Sequence, residues 1–350
     1  MAGPLSGLLI VELGAIGPVP FAGMMLADHG AKVIRVERPD VIPAPGDPLL
    51  RSRSSITLNL KNTDDISELR KLCATADGLI EGFRPGVMER LGLGPAVLLS
   101  DNKRLVYGRM TGWGQDGPLA PRAGHDINYI ALTGTLGALG RAGGQPTPPI
   151  NLVGDFGGGG MMLAFGMVAG LLGARSGGAG RVVDCAMTDG SALLMAMMWG
   201  FRAEGQWSEE RGTNLLDTGA PFYDTYETAD GGYVAVGAIE PKFYAELRRV
   251  LSIADDPLFD AQMDRSQWQT QKTELARLFK ASTRNEWAAL FEGVDACVTP
   301  VLTMAEALQH PHNRARQTFI QLDGVVQPGP APRYSSPSSA ISAVSRHELE

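Results

Sequence analysis

Apolar residues enter this chain first as short unbroken runs and later as helical stripes, and the opening run, Leu8-Leu9-Ile10-Val11-Glu12-Leu13, has the length and content of a buried strand. A Gly/Pro loop over Gly14–Pro20 and a helix over about Phe21–His29 follow, with Gly30 as the helix stop and Ala31–Glu37 as a second strand. Together they predict a β-α-β unit. The alternation continues with an extended segment at Ser54–Leu60, an amphipathic helix over Asp64–Ala76, and strands at Gly78–Glu81 and Arg104–Gly108. The first half therefore predicts a parallel α/β layer.

The pattern then predicts a helix over Ile127–Leu139 and a long uncharged stretch between Asp155 and Arg175. Because that stretch begins with Gly157-Gly158-Gly159-Gly160, its helical part is expected to be Met161–Ala174, too short for a bilayer and suited to a buried core. Near residue 185 the texture changes. A Met-rich helix at Ser191–Phe201 and a polar linker at Glu204–Leu216 precede two strands within Tyr223–Val236, joined at Asp230-Gly231-Gly232. Helices over Pro241–Leu251 and Gln269–Phe291 and a strand near Ala296–Val301 complete a smaller α/β domain. From Ala305 the chain reads as helical and then as a Pro/Ser-rich tail through Pro328–Ser339.

With 350 residues, 44% hydrophobic and 20% charged, the chain has ample material for a core. Its net charge of -7 argues against nucleic acid as a partner, because no basic face could be large. Cys73, Cys185 and Cys297 are far apart and lack metal or disulfide spacing, so they are expected to be inert core thiols in a reducing compartment. No basic segment precedes Leu8–Val11, which makes the cytoplasm the expected location. Neither a metal nor a membrane is expected.

The strand, loop and helix at the start mimic a dinucleotide-binding unit, but Gly14-Ala15-Ile16-Gly17-Pro18-Val19-Pro20 lacks two of the fingerprint glycines, and its prolines remove N–H groups. A nicotinamide cofactor is therefore not expected. Arg38, Arg51, Arg53, Lys61, Arg84 and Arg90 read singly as surface cations, yet several follow predicted strands and would share the carboxyl-end rim of a parallel sheet, where an anionic ligand could collect them. The segments Gly124-His125-Asp126-Ile127-Asn128-Tyr129 and Asn151-Leu152-Val153-Gly154-Asp155-Phe156 each put a proton-transferring side chain where a glycine-flanked loop enters an apolar helix. Asp155 has a plain alternative reading as a helix N-cap, and the glycines after it favour close approach of a ligand. Glu240, before Pro241, reads by itself as an acid at a helix start.

These segments, with Arg35-Val36-Glu37-Arg38-Pro39, Glu81-Gly82-Phe83-Arg84-Pro85-Gly86 and Gly237-Ala238-Ile239-Glu240-Pro241, resemble the α-methylacyl-CoA racemases within the wider group of family III CoA-transferases. The resemblance implies an α/β fold with a Rossmann-like large domain over 1–185, completed by about 328–350, linker helices over 186–222, a small α/β domain over 223–305 and a return linker over 306–327. Two such chains would interlock as a homodimer. His125 and Asp155 match the acid/base positions, and Glu240 matches the acid that pairs with the histidine of the neighbouring subunit. Arg38, Leu58, Asn59, Leu60, Lys61, Gly82, Phe83, Arg84, Arg90, Gly124, Asp126, Ile127, Asn128 and Tyr129 match contacts to an acyl-CoA thioester substrate. No separate cofactor is implied. The rival reading is CoA transfer with Asp155 as nucleophile, in which His125 would have no counterpart. A non-catalytic acyl-CoA carrier would keep the basic rim but have no use for paired proton donors.

Overall fold

The computed structural model describes residues 3–42, 44 and 46–335. The expected completion of the large domain by about 328–350 therefore falls, from Ser336 onward, outside the described residues. Two compact units form, one from Met1–Thr111, Gly160–Cys185 and the segment starting at His310, the other from Gly112–Gly159 and Ala186–Gln309.

The first unit opens with β1 (Leu9–Leu13), α1 (Pro18–Asp28), β2 (Lys32–Glu37), β3 (Ser54–Thr57), α2 (Thr63–Thr75), β4 (Gly78–Glu81), α3 (Val87–Arg90), α4 (Pro95–Asp101) and β5 (Val106–Thr111). Its strands pair in parallel, with Val11 of β1 opposite Ile34 of β2 on one side and Leu79 of β4 on the other. Helix α1 starts earlier than the sequence predicts. Pro18 takes the first helical position, where a missing N–H removes no bond and the fixed φ suits the helix.

The chain next builds α5 (Asp126–Leu132) and α6 (Thr135–Ala138), runs through a π-helical stretch at Leu152–Met161, and continues as α7 (Met162–Arg175) and β6 (Arg181–Ala186). Gly134, at φ 82°, breaks into two the single helix expected over Ile127–Leu139. Strand β6, which the sequence reading missed, joins β5 to give the order β3-β2-β1-β4-β5-β6. The order reverses between β1 and β4, the switch point at which parallel sheets of this kind open a ligand crevice. On one face Leu69 and Cys73 of α2 and Leu98 of α4 pack with Val11, Leu79 and Tyr107. On the other, α7 lies against β5 and α1, burying Leu163, Met167 and Leu171.

The π-helical stretch corrects the length expected of this helix. Leu152–Arg175 is a continuous helix of 24 residues, long and apolar enough by composition to cross a membrane, although 44% of its most apolar window is buried within the protein. Its packing on the sheet is that of a core helix.

The second unit continues with α8 (Met187–Leu194), α9 (Ala196–Ala203), β7 (Tyr223–Glu227), β8 (Tyr233–Gly237), α10 (Pro241–Val250), α11 (Trp268–Phe279), α12 (Arg284–Phe291), β9 (Val298–Pro300) and α13 (Met304–Ala307). Strands β7, β8 and β9 form an antiparallel sheet. Over it lies an aromatic core in which the Phe279 ring stacks on Tyr226 at 5.2 Å and meets Trp287 edge-on at 5.2 Å. Trp287 Nε1 donates to the Phe279 carbonyl at 2.8 Å, so the buried indole N–H is satisfied. The helix expected over Gln269–Phe291 is two helices, because Thr283 and Glu286 form a capping box that starts a new one.

Back in the first unit, α14 (Pro311–Ala315) precedes a hairpin of β10 (Phe319–Leu322) and β11 (Val325–Pro328). Its two-residue turn, Asp323-Gly324, has both φ values positive, at 51° and 79°. That Asp-Gly signal lies within the segment 306–327 expected as a return linker, which the hairpin replaces.

Two features predict stability. Glu12, wholly buried, is shared by the guanidinium groups of Arg35 and Arg53, and Arg35 also binds Glu37. Replacing Glu12 by Gln takes the carboxylate partner from buried Arg53 and leaves Arg35 with Glu37, and chemical denaturation should register a loss of about 3–5 kcal/mol. In the second unit, a Cβ on Gly190 of α8 would lie 1.9 Å from the carbonyl oxygen of Gly158 in the π-helical stretch. Backbone cannot yield as a side-chain tip does, so Gly190→Ala is expected to cost about 3 kcal/mol and to lower Tm in a thermal melt.

Candidate active site

The loop that precedes α5 is held from within the second unit. Tyr129 meets Trp113 edge-on, with ring centroids 4.8 Å apart, and its hydroxyl donates to the Gly124 carbonyl. This pins the backbone just ahead of His125. His125 is the N-cap of α5, extended at φ -132° and ψ 172°, and its N–H donates to Asn128 Oδ1 at 3.0 Å. The imidazole is exposed while the next residue, Asp126, is buried.

Asp155 approaches from the π-helical stretch, which the chain enters through Ile150 at φ 58°, a conformation a β-branched residue seldom adopts. Asp155 is thus inside a helix, which corrects its reading as an N-cap. Its backbone N–H donates to Asp126 Oδ1 at 2.7 Å, and its own Oδ2 accepts from Asn151 Nδ2 at 3.1 Å. So close an approach needs Gly154, where a Cβ would stand 2.5 Å from Asp126 Oδ1. Partial burial lifts the Asp155 carboxyl above the ordinary aspartate range; the Asn151 N–H opposes this, the Asp126 charge adds to it, and the nearby His125 opposes it. His125 and Asp155 are therefore close enough to feel each other electrostatically. One site holds an imidazole and a half-buried carboxyl with raised proton affinity, the two unlike groups that a proton relay at a carbon centre requires.

The expected substrate cations fall in the first unit and sort into two kinds. Arg51 binds Asp28, Gln327 and the Pro328 carbonyl, and Arg53 binds Glu12, so both are internal supports and leave the proposed anion rim. Arg38 follows β2, Leu58–Lys61 follows β3, and Gly82–Arg84 follows β4, so parallel pairing brings these segments to the same carboxyl-end edge of the sheet. Arg38, Lys61, Arg84 and Arg90 are exposed there, and Leu58 is buried in the core. A network that the sequence reading missed supports this edge. Glu81 accepts the Phe83 N–H at 2.7 Å and pairs with Arg109 at 3.3 Å, and Arg109 also holds Glu89 of α3 at 2.9 Å. Burial pushes the Glu81 carboxyl up to about 7.

Glu240 is the exposed N-cap of α10, and no side-chain hydrogen bond or ion pair joins it to His125 among the described residues. It lies instead near Cys297, whose thiol is raised by burial, Asp295 and Glu240 and lowered by Lys242. Cys297 is exposed, against the expectation of a core thiol, while Cys73 and Cys185 are buried as expected. Asn151 was also passed over, although its spacing of four residues from Asp155 puts the two on one side of a helix.

The family profile described as CoA-transferase family III matches residues 5–343. The chain is 48% identical over 329 residues to the alpha-methylacyl-CoA racemase of Mus musculus, spanning 94% of this chain and 85% of that protein. It is 46% identical over 333 residues to the alpha-methylacyl-CoA racemase of Homo sapiens, spanning 94% and 86%. Among solved structures, Rv3272 of M. tuberculosis matches with a TM-score of 0.79 at 28% identity, over 96% of this chain and 94% of that one. The chain belongs to CoA-transferase family III.

Proposed function

We propose that the protein interconverts the (2R) and (2S) forms of 2-methylacyl-CoA thioesters by removing and returning the α-proton through an enolate. The observation that carries this reading is the pairing of His125 with Asp155, two Brønsted groups of different kind within mutual electrostatic reach. In one direction neutral His125 takes the proton from one face and protonated Asp155 returns one to the other. In the reverse direction ionised Asp155 takes the proton and cationic His125 returns it. The raised proton affinity of Asp155 suits a group that must carry its proton in one direction and shed it in the other. The thioester carbonyl acidifies the α-carbon, and backbone N–H groups at the start of α5 are at hand for the enolate oxygen. As written, the reaction draws on no separate cofactor.

The CoA portion is assigned to the exposed cations Arg38, Lys61, Arg84 and Arg90, with binding energy from this remote part used to position the reacting carbon. The working form is assigned to an interlocked homodimer in which the partner subunit's Glu240 meets His125. Support comes from the exposed apolar side chains of α8 and α9, where Leu193, Leu194, Met197 and Trp199 are 60%, 46%, 52% and 53% exposed.

Incubated in D2O with one enantiomer of a 2-methylacyl-CoA, the purified protein is expected to exchange the α-proton and to lose optical purity together. CoA movement to a free acid, with hydroxylamine-trappable acyl-enzyme and no exchange, would replace this reading with group transfer. His125→Ala and Asp155→Ala should each lower racemisation at least about a hundredfold while acyl-CoA binding persists. Near-wild-type racemisation by either would remove that residue from the mechanism. Asn151→Ala deletes the donor that favours the ionised Asp155, so the acid limb for the enantiomer deprotonated by Asp155 should move to higher pH. A pH–rate profile of α-proton wash-out reads this directly, and an unmoved limb contradicts it.

A further inference from the structure

Asp126 is a buried carboxylate beside a catalytic one, and the reaction as derived gives its side chain nothing to do. It is 6% exposed, its Oδ1 accepts the backbone N–H of Asp155 at 2.7 Å, and its buried Oδ2 meets no hydrogen-bond donor among the described residues. A buried charge supported by one donor is costly to keep, and a neutral residue would fill the same space more cheaply. Gly154 is the other half of the arrangement. A methyl group there would collide with the Asp126 carboxyl group at 2.5 Å from Oδ1 and 2.8 Å from Cγ, so a bare backbone is required for α5 and the π-helical stretch to meet here.

We propose that Asp126 is a positioning residue for Asp155: its carboxylate fastens the helical turn that carries Asp155, and its negative charge sets the pH range over which Asp155 exchanges a proton. This rests on the racemase reading. The charged groups that face Asp155 are His125 and Asp126 from α5, with Asn151 as the neutral donor on its own helix. Helix α8 packs against α5 and the π-helical stretch and carries one charged residue, Asp189, which is exposed. Asp126 is thus the like charge next to Asp155, and it acts in the same direction as burial and against Asn151 and His125.

Two variants separate charge from orientation. Asp126→Asn keeps an oxygen for the Asp155 N–H and removes the charge, so the acid limb for the enantiomer deprotonated by Asp155 should fall by about one pH unit. Gly154→Ala keeps every titratable group and displaces the Asp126 side chain, so kcat should fall by about tenfold or more with KM within about threefold. A folded Asp126→Asn protein whose limb stays at the wild-type pH overturns the proposal, as does a folded Gly154→Ala protein with wild-type kcat.

A titration that needs no catalysis accompanies these assays. In wild-type protein labelled with carboxyl-13C aspartate, the Asp155 resonance is the one lost in Asp155→Asn. Its midpoint should lie above that of ordinary aspartates and drop in Asp126→Asn. An ordinary midpoint in the wild type overturns the proposal even if neither variant folds. Absence of α-proton exchange by wild-type protein would sink the racemase reading while leaving this titration intact.

Discussion

Contact between bare peptide backbones is the constraint on which the candidate site depends. The carbonyl of Gly158 presses on Gly190 of α8, and Gly154 presses on the Asp126 carboxyl group at the head of α5. No side chain mediates the first contact and only the Asp126 carboxyl group enters the second, so the π-helical stretch approaches α5 and α8 through bare glycine backbone. That closeness brings two remote sequence segments together in one candidate site. It also explains why so apolar a helix tolerates four successive glycines, which would otherwise weaken it by about 1 kcal/mol each.

Charge follows the same economy in the first unit. Cations with buried partners serve architecture: Arg35 and Arg53 on Glu12, Arg51 on Asp28, Arg109 on Glu81. Cations without them remain exposed at the carboxyl ends of the strands. The network Glu81–Arg109–Glu89 braces the backbone from Phe83 to α3, from which Arg84 and Arg90 project.

Much of this was legible in the residues. Unbroken apolar runs marked β1, β2 and β4 because strands buried on both faces need no alternation, and Asp230-Gly231-Gly232 marked the β7–β8 turn. Strand β6 escaped notice because Arg181-Val182-Val183-Asp184 mixes charge with β-branched residues at a sheet edge. The π-helical geometry was illegible for a different reason. Four glycines announce conformational freedom, and only the packing of Gly158 and Gly190 selects one conformation from it. His125 and Asp155 stood out by chemistry, but Asn151 and the burial of Asp126 are facts of three-dimensional neighbourhood. The cationic rim was half legible, since position after a strand identified candidates and only partners distinguished Arg38 from Arg51.

The coil of Leu152–Met161 carries about one more residue per turn than the α-helix that follows it. At that winding each residue turns the chain by roughly 80°, so loss of one glycine from the run, with the coil otherwise kept, would swing the Asp155 carboxyl nearly a quarter-turn around the axis. The sheet-facing residues of α7 would keep their places. A single codon gained or lost here would leave the scaffold standing and take the acid away from the imidazole, which makes this stretch a point where descendants of one fold could diverge in chemistry without rebuilding a core.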